Sequence, residues 1–195
     1  MSRLVKLIIL VTLFAGISGG LLSILEAVTK ERIEMQQLLY LKGPALREVM
    51  SSCSNDPLKD RIKIKEGDKE HQIFICKVDG RPSIIATETF GKGYKGPIGV
   101  VVGIDIEKDK LVGIGVTTHT ETPGLGARAK TDKAFKGQFK GKNLDQTFKV
   151  KADGGEVDAL SGATITSKGV CLAVEEARAL YKKLKPEILK NLGKV

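Results

Sequence analysis

Residues 7–25 carry no charged side chain, and this run limits what the N-terminus can fold into more than any other feature of the chain. At about 1.5 Å per helical residue it reaches close to the roughly 30 Å hydrocarbon core of a bilayer. A secretory signal has a shorter apolar region, about 7 to 15 residues, that ends at a small-residue cleavage site. Here Gly16, Ser18, Gly19 and Gly20 lie inside the run, and no Cys follows closely enough for a lipoprotein anchor. An uncleaved membrane anchor is the expectation, set against a cleaved signal or a buried soluble helix. Arg3, Lys6 and the terminal amine nearly balance Lys30 and Arg32 across the run, so charge leaves the orientation open. No ionisable group interrupts the run, which argues against an ion path formed by this helix alone.

The remainder of the 195 residues has room for one ordinary domain. Residues 29–40 have helix-forming composition, and Gly43-Pro44 is expected to break that helix before a second one at residues 45–52. Residues 72–78 and 83–89 read as strands around an Asp79-Gly80-Arg81-Pro82 turn. Gly91, Gly93 and Gly96 mark a loop. Residues 99–106 and 111–118 form a second strand pair around a turn at 107–110. Two successive hairpins imply a largely antiparallel sheet, and residues 148–151 are a candidate for one further strand. From Thr166 onward Val170, Ala173, Val174, Ala177, Leu180, Tyr181 and Leu184 recur with helical period, with Pro186 expected to end that helix or restart a short turn. The class is α+β, divided as residues 1–28 for the N-terminal tip and anchor, 29–60 for a helical connector, and 61–195 for the domain.

A net charge of +9 invites a nucleic-acid partner, but aromatic content is 5% and no basic segment interleaved with aromatics occurs. No nucleic-acid partner is expected. Lys130, Lys133, Lys136, Lys140 and Lys142 surround Phe135 and Phe139 at i, i+4 spacing, the pattern of a solvated helix face with two apolar anchors. Attraction to anionic headgroups or to an acidic partner is the alternative. Cys53, Cys76 and Cys171 are too dispersed for a metal site, and at most one bridge can form among them. Cys76 and Cys171 read as small core residues and Cys53 as the most exposed.

Chemistry concentrates in Asp158-Ala159-Leu160-Ser161-Gly162-Ala163-Thr164 at the entrance to the last helix. The first turn of a helix leaves N–H groups unpaired at its positive end, so a phosphate beside Thr164 gains hydrogen bonds and field together. Gly162 and Ala163 add little bulk. Ser and Thr are also ordinary N-caps, and the residues alone leave that alternative open. His119-Thr120-Glu121-Thr122-Pro123-Gly124-Leu125-Gly126 follows the second hairpin directly and offers a bent backbone with available N–H groups, or a turn without a ligand.

These two segments, in this order, resemble the attachment motif and preceding loop of the FMN-binding domain family. That family is shared by the G subunit of the Rnf electron transport complex and the C subunit of the Na+-translocating NADH:quinone reductase. The resemblance implies a single transmembrane helix followed by an antiparallel-sheet FMN-binding domain with packed helices. It implies FMN joined by a phosphoester to Thr164, with Asp158, Ser161, Gly162 and Ala163 completing the motif. Glu121, Thr122, Gly124, Leu125, Thr166 and Lys168 are the candidate noncovalent contacts, with Thr166 alternatively only a cap, and His119 is expected near the flavin edge. No catalytic or metal-binding residue is expected.

A separate flavin transferase using FAD and Mg2+ would make the bond, because a threonine hydroxyl is a poor nucleophile and no base lies near it in sequence. The chain would be an electron carrier without turnover of its own. Its partners would be the other membrane subunits of a complex coupling ferredoxin and NAD chemistry to Na+ or H+ movement. It would sit in a bacterial or archaeal cytoplasmic membrane with its C-terminal domain on the periplasmic or extracytoplasmic side. The quinone-reductase homologue is usually longer, which favours the Rnf one. A membrane-anchored flavoprotein reductase and a non-redox scaffold are the readings from other classes.

Overall fold

The computed structural model describes residues 2–67 and 69–193. Helix α1, Arg3–Gln36, contains the charge-free run, and Leu7, Leu10, Phe14, Leu21 and Leu25 along it are exposed. Among the described residues it is the one helix long and apolar enough to cross a membrane. The charge-free run is apolar all round and has no face suited to water, so this part of α1 needs lipid or protein about it. The chain divides into two units between residues 39 and 40. In place of the expected break, α1 is followed by a π-helical segment, Gln37–Lys42, and by α2, Gly43–Val49, whose first turn holds Pro44. Proline fits there because a first-turn N–H has no intrahelical acceptor.

The second unit is built on five strands: β1 Arg61–Glu66, β2 Lys69–Val78, β3 Arg81–Lys92, β4 Pro97–Asp105 and β5 Lys110–Val116. They pair antiparallel in sequence order. Both expected hairpins form. Asp79 and Gly80 turn β2 into β3 with φ of 52° and 78°, values that Asp tolerates and Gly favours. Strand β1 adds to the expected set, its Arg-Ile-Lys-Ile-Lys-Glu alternation packing Ile62 and Ile64 against the core.

β4 is buried on both faces from Ile98 to Ile104, so it must be covered on both sides. On one side Val100, Val102 and Ile104 join the main core. On the other, Gly103 and Gly115 admit α2, because a Cβ at Gly103 would lie 2.3 Å from Val49 Cγ1 and one at Gly115 2.9 Å from Ala45 Cβ. Glu88 is also anchored on this unit by Lys42 Nζ at 2.6 Å and by the Thr117 hydroxyl.

Helix α5, Thr164–Asn191, covers β3 and β4 with Val170, Ala173, Val174, Ala177 and Leu184 buried. It does not end at Pro186 but passes through it, since Ile188, 1% exposed, continues the apolar face beyond the proline. The helix comes close to the strand where neither carries a side chain: a Cβ on Gly91 would fall 1.8 Å from the Gly169 carbonyl oxygen, and one on Gly169 would fall 2.7 Å from that of Lys92. Thr89 Oγ1 donates to the Ala173 carbonyl at 2.7 Å beside this crossing.

The expected strand at residues 148–151 is absent. Val150 makes a single parallel bridge to Val157, and Lys151–Asp153 is a 3-10 turn closed by Gly154 at φ 78°. The chain folds back so tightly that a Cβ on Gly155 would meet the Lys149 carbonyl oxygen at 2.1 Å. The lysine-rich segment keeps its two expected apolar anchors and exposes Lys130, Lys133 and Lys140, but not along one helix and not with Lys136 in solvent. It forms two short helices, α3 Arg128–Thr131 and α4 Lys133–Gly137, with Phe135 and Phe139 buried edge to face at 5.8 Å. Lys136 is buried with its ammonium 2.6 Å from Glu48, and Lys130 donates to the Thr117 carbonyl at 3.0 Å.

Cys76 is not a core thiol: it forms a disulfide with Cys53 across a Cα separation of 5.2 Å. Cys171 is free and buried, and burial pushes its thiol up to about 12.

Two outcomes follow from this packing. Gly91→Ala should cost about 3 kcal/mol, because the added methyl meets the α5 backbone at Gly169 and Ala173; urea unfolding of the detergent-solubilised chain measures it. Asp109, in the β4–β5 turn, accepts from Tyr181 at 2.7 Å and Lys185 at 2.6 Å. Burial raises its carboxyl, yet these hydrogen bonds outweigh burial and hold it below the ordinary carboxylate range. A carboxyl depressed by folding contributes stability above its unfolded value and loses that stability as pH falls through the folded one. Stability should therefore decline as pH drops below about 4, and Asp109→Asn should flatten part of that decline in unfolding curves taken across the acid range.

Candidate functional site

Three chain segments meet at one end of the sheet. The first is the β3–β4 loop, where Gly93 N–H donates to the Gly96 carbonyl at 2.8 Å. The second leaves β5, with the Thr117 N–H donating to the Gly99 carbonyl and the Gly99 N–H to the Thr118 carbonyl at its base, and turns at Gly124, φ 75°. In that turn the Thr122 carbonyl accepts from the N–H groups of Leu125 and Ala127. The third is the entrance to α5.

Glu121 joins all three. Its carboxylate is buried, accepts from the Lys95 N–H at 2.9 Å through one oxygen, and accepts from the Thr166 hydroxyl through the other. Gly126 is required beside it, because a Cβ there would sit 2.5 Å from Thr166 Oγ1 and 2.6 Å from Glu121 Oε2. A buried carboxylate must be satisfied by donors, and these two supply that satisfaction while fixing the loops against the helix.

The helix entrance is set by Ser167. Its hydroxyl donates to the Ala163 carbonyl at 3.0 Å and accepts from the Leu160 N–H at 2.9 Å, and Ala163 N–H closes a turn onto Leu160. Gly162 takes φ 74° within that turn. The N-cap is Ala163, which has no capping side chain. Thr164 opens the helix, exposed, and among the described residues its hydroxyl has no hydrogen-bond partner. The cap alternative is therefore set aside for Thr164, which follows the cap, and for Thr166, whose hydroxyl goes to Glu121. The first-turn N–H groups of Thr164, Ile165 and Thr166 have no intrahelical acceptors and stay at the positive end of a 28-residue helix.

These parts enclose a cleft of about 480 Å³. Of the residues singled out from the sequence, Glu121, Thr122, Leu125, Gly162, Ala163, Thr164 and Thr166 line it. Asp158 and Ser161 line a separate cleft of about 380 Å³ beside Arg128 and Gln138. There Gln138 pairs with the Asp158 backbone at both N–H and carbonyl, and the Asp158 carboxylate meets Lys151 at 2.7 Å. Lys168 is held by Asp153 at 2.7 Å, and Gly124 shapes the turn without lining the cleft. His119 is half-buried, its Nδ1 is buried without a partner, and it does not line the cleft.

Tyr94 and Ile165 line the cleft without having been singled out, and Gly126, read from the sequence only as part of the bent loop, lines it too; Ser167 holds the helix entrance and Gln138 the neighbouring Asp158 backbone. Tyr94 had a legible signal, as the lone aromatic between Gly93 and Gly96. Ser167 and Gln138 had none, because their partners are backbone groups at a distance fixed only by the fold.

An uncapped helix start, glycines that clear the approach and a carboxylate that fixes the walls suit an anionic ligand with a bulky apolar body. The comparisons agree with that chemistry. Residues 93–179 match the family model described as FMN-binding domain. The chain is 34% identical to the G subunit of the ion-translocating oxidoreductase complex of Photorhabdus laumondii, over 94% of this chain and 92% of that protein. It is 32% identical to the protein of the same name from Vibrio cholerae, over 87% and 86%. Its fold is similar to the crystal structure of the C subunit of the Na+-translocating NADH-quinone reductase from Parabacteroides distasonis, with a TM-score of 0.54, 28% identity and coverage of 64% of this chain and 76% of that one. With near-complete alignment to those oxidoreductase relatives and a matching domain that spans the whole cleft, the chain belongs to the family of ion-translocating oxidoreductase complex G subunits and contains an FMN-binding domain.

Proposed function

We propose that this chain is a membrane-anchored electron-transfer subunit that carries FMN through a phosphoester on Thr164. Its setting is an Rnf-type complex coupling redox exchange between ferredoxin and NAD to Na+ or H+ movement. The observation that carries this reading is the Thr164 hydroxyl, exposed and without a partner at the uncapped start of α5, at the lining of the cleft. The ion-translocating oxidoreductase relatives align along nearly their whole length, which favours the Rnf-type assignment over the quinone-reductase one.

The residues present fit such a cofactor. The N–H groups of Thr164, Ile165 and Thr166 are donors for a phosphate, and the helix field favours its charge. Gly126 and Gly162 keep the approach open, and Leu125 and Ile165 offer apolar surface. FMN held there would supply one- and two-electron chemistry, while the protein supplies attachment, orientation and exclusion of water. Glu121 keeps the loops and helix in register, and Thr164 is an anchor, not a base or a nucleophile toward substrate. Among the described residues no base contacts the Thr164 hydroxyl, which supports attachment by a separate flavin transferase using FAD and Mg2+.

In this reading residues 1–28 contain the single-pass anchor, residues 29–60 connect it, and residues 61–195 form the FMN-binding domain beside other membrane subunits. The domain faces the extracytoplasmic side of a bacterial or archaeal cytoplasmic membrane. The Cys53–Cys76 disulfide supports that side, since such bridges persist in oxidising compartments.

Co-production with the transferase should add the mass of phosphoester-linked FMN to the peptide containing Thr164, and Thr164→Ala should abolish it. An unmodified Thr164 beside an active transferase would remove the reading. Protease added to intact spheroplasts should degrade the domain; protection until lysis would reverse the orientation.

A further inference from the structure

The side of α5 turned away from the core carries apolar side chains that nothing in the domain covers. Ile165 and Leu172, seven residues apart, stand on one face of the helix, with Glu176 a turn further on. Ile165 is 51% exposed and Leu172 55%. Strand β3 adds Phe90, also 51% exposed. The exposure of Phe90 has its cause in the sheet. β2 pairs with β3 only as far as Ile73 and Thr87, whereas β3 stays on β4 through Lys92, so Phe90 lies past the point where β2 has left.

These side chains form one strip. The Thr89 bond to the Ala173 carbonyl sets the neighbouring Phe90 at the level of Leu172 and Glu176, and Phe90 and Glu176 line a cleft of about 420 Å³. At the opposite end Ile165 belongs to the lining of the Thr164 cleft. The strip therefore runs from that cleft along α5 to the gap between β2 and β3. Single exposed apolar residues are ordinary on a surface, but three in line that end at a ligand cleft make a patch.

Unpaired charges border the strip. Lys92, whose carbonyl faces Gly169, is exposed on the β3 side, as is Lys95 in the following loop, and Glu176 is exposed at the far end. Among the described residues none of these three side chains has an ion pair. An apolar centre with a polar rim is the anatomy of a protein contact. An anionic bilayer surface would attract Lys92 and Lys95 but repel Glu176, whereas a protein can set carboxylates against the two lysines and a cation against the glutamate.

We infer that Phe90, Leu172 and the outer side of Ile165 are the docking surface for the protein that exchanges electrons with FMN on Thr164. That partner has an apolar ridge flanked by carboxylates on one side and a cation on the other. This rests on the FMN reading above and deepens it by naming the contact surface. A cofactor in an open cleft exchanges electrons only with a centre brought close to it, and this strip is the apolar surface that adjoins the cleft. In each exchange the partner's centre is oxidised as the FMN is reduced, or the reverse.

Membranes containing the assembled complex are compared as wild type, Leu172→Glu, Phe90→Glu and Glu176→Lys, with reduced ferredoxin as donor, NAD+ as acceptor and NADH absorbance as the readout. All three positions are exposed and lie outside the Thr164 cleft, so peptide mass should show equal FMN loading and the urea midpoint should not move. At equal loading electron flow should fall several-fold in each variant. A photoreactive benzophenone side chain in place of Leu172 should give an adduct with a subunit that carries a redox centre of its own. The same group in place of Lys108, in the β4–β5 turn at the far end of the sheet, should not. Wild-type flow in Leu172→Glu or in Glu176→Lys, or an adduct at position 172 with phospholipid alone, would overturn the docking surface and leave the phosphoester reading intact. Absence of FMN from wild-type Thr164 would overturn both.

Discussion

The buried Glu121 carboxylate is the group on which the geometry of the cleft depends. It accepts a backbone N–H from the β3–β4 loop and a hydroxyl from the first turn of α5, and its own loop leaves β5. A charge taken out of water is stable only where donors face it, so the three segments are not free to drift apart independently. Gly93 and Gly126 are the steric counterparts of that bond network, each excluding any side chain that would push the carboxylate away. Removing either donor leaves a buried acceptor unsatisfied, a condition worth about 1–3 kcal/mol against the folded arrangement.

The second constraint is the crossing of β3 and α5 at Gly91 and Gly169. Backbone lies against backbone there, which brings the helix axis close to the sheet and lets Ala173, Val174 and Ala177 fill the layer behind it. A helix seated this close needs small residues on its inner face, and its sequence supplies them. The consequence at the site is that the start of α5 is fixed both by packing along the helix and by Glu121 at its tip.

Periodicity made most of this architecture legible. The Asp79-Gly80 turn, the β-branched runs of β4 and β5 and the helical spacing after Thr166 lead to the hairpins and to the covering helix. The two motif segments also come together as their resemblance implies, with Glu121, Thr122 and Leu125 facing Thr164 and Thr166. What pattern could not supply was partnership over distance. Nothing local pairs Cys53 with Cys76, or Lys136 with Glu48, and no spacing reveals that Gln138 holds the Asp158 backbone. Residues 148–151 have strand composition yet fold back at Gly154 and Gly155, and the apolar face beyond Pro186 outweighs the single intrahelical bond that proline removes. Asp158 and Ser161 face a different cleft from Thr164, because the Gly162 turn rotates the chain between them.

The strand order β1-β2-β3-β4-β5 has a kinetic meaning. Each strand of the meander finds its partner immediately before it in the chain, so the sheet closes through short loops and can assemble as the polypeptide emerges. Thr89 reaching Ala173 is a contact of another order, spanning 84 positions. A chain interrupted before residue 164 would contain every strand of the sheet but neither Thr164 nor the helical wall of the cleft. The ligand site is thus the last part of the domain to come into existence, and its presence reports that the final helix has docked.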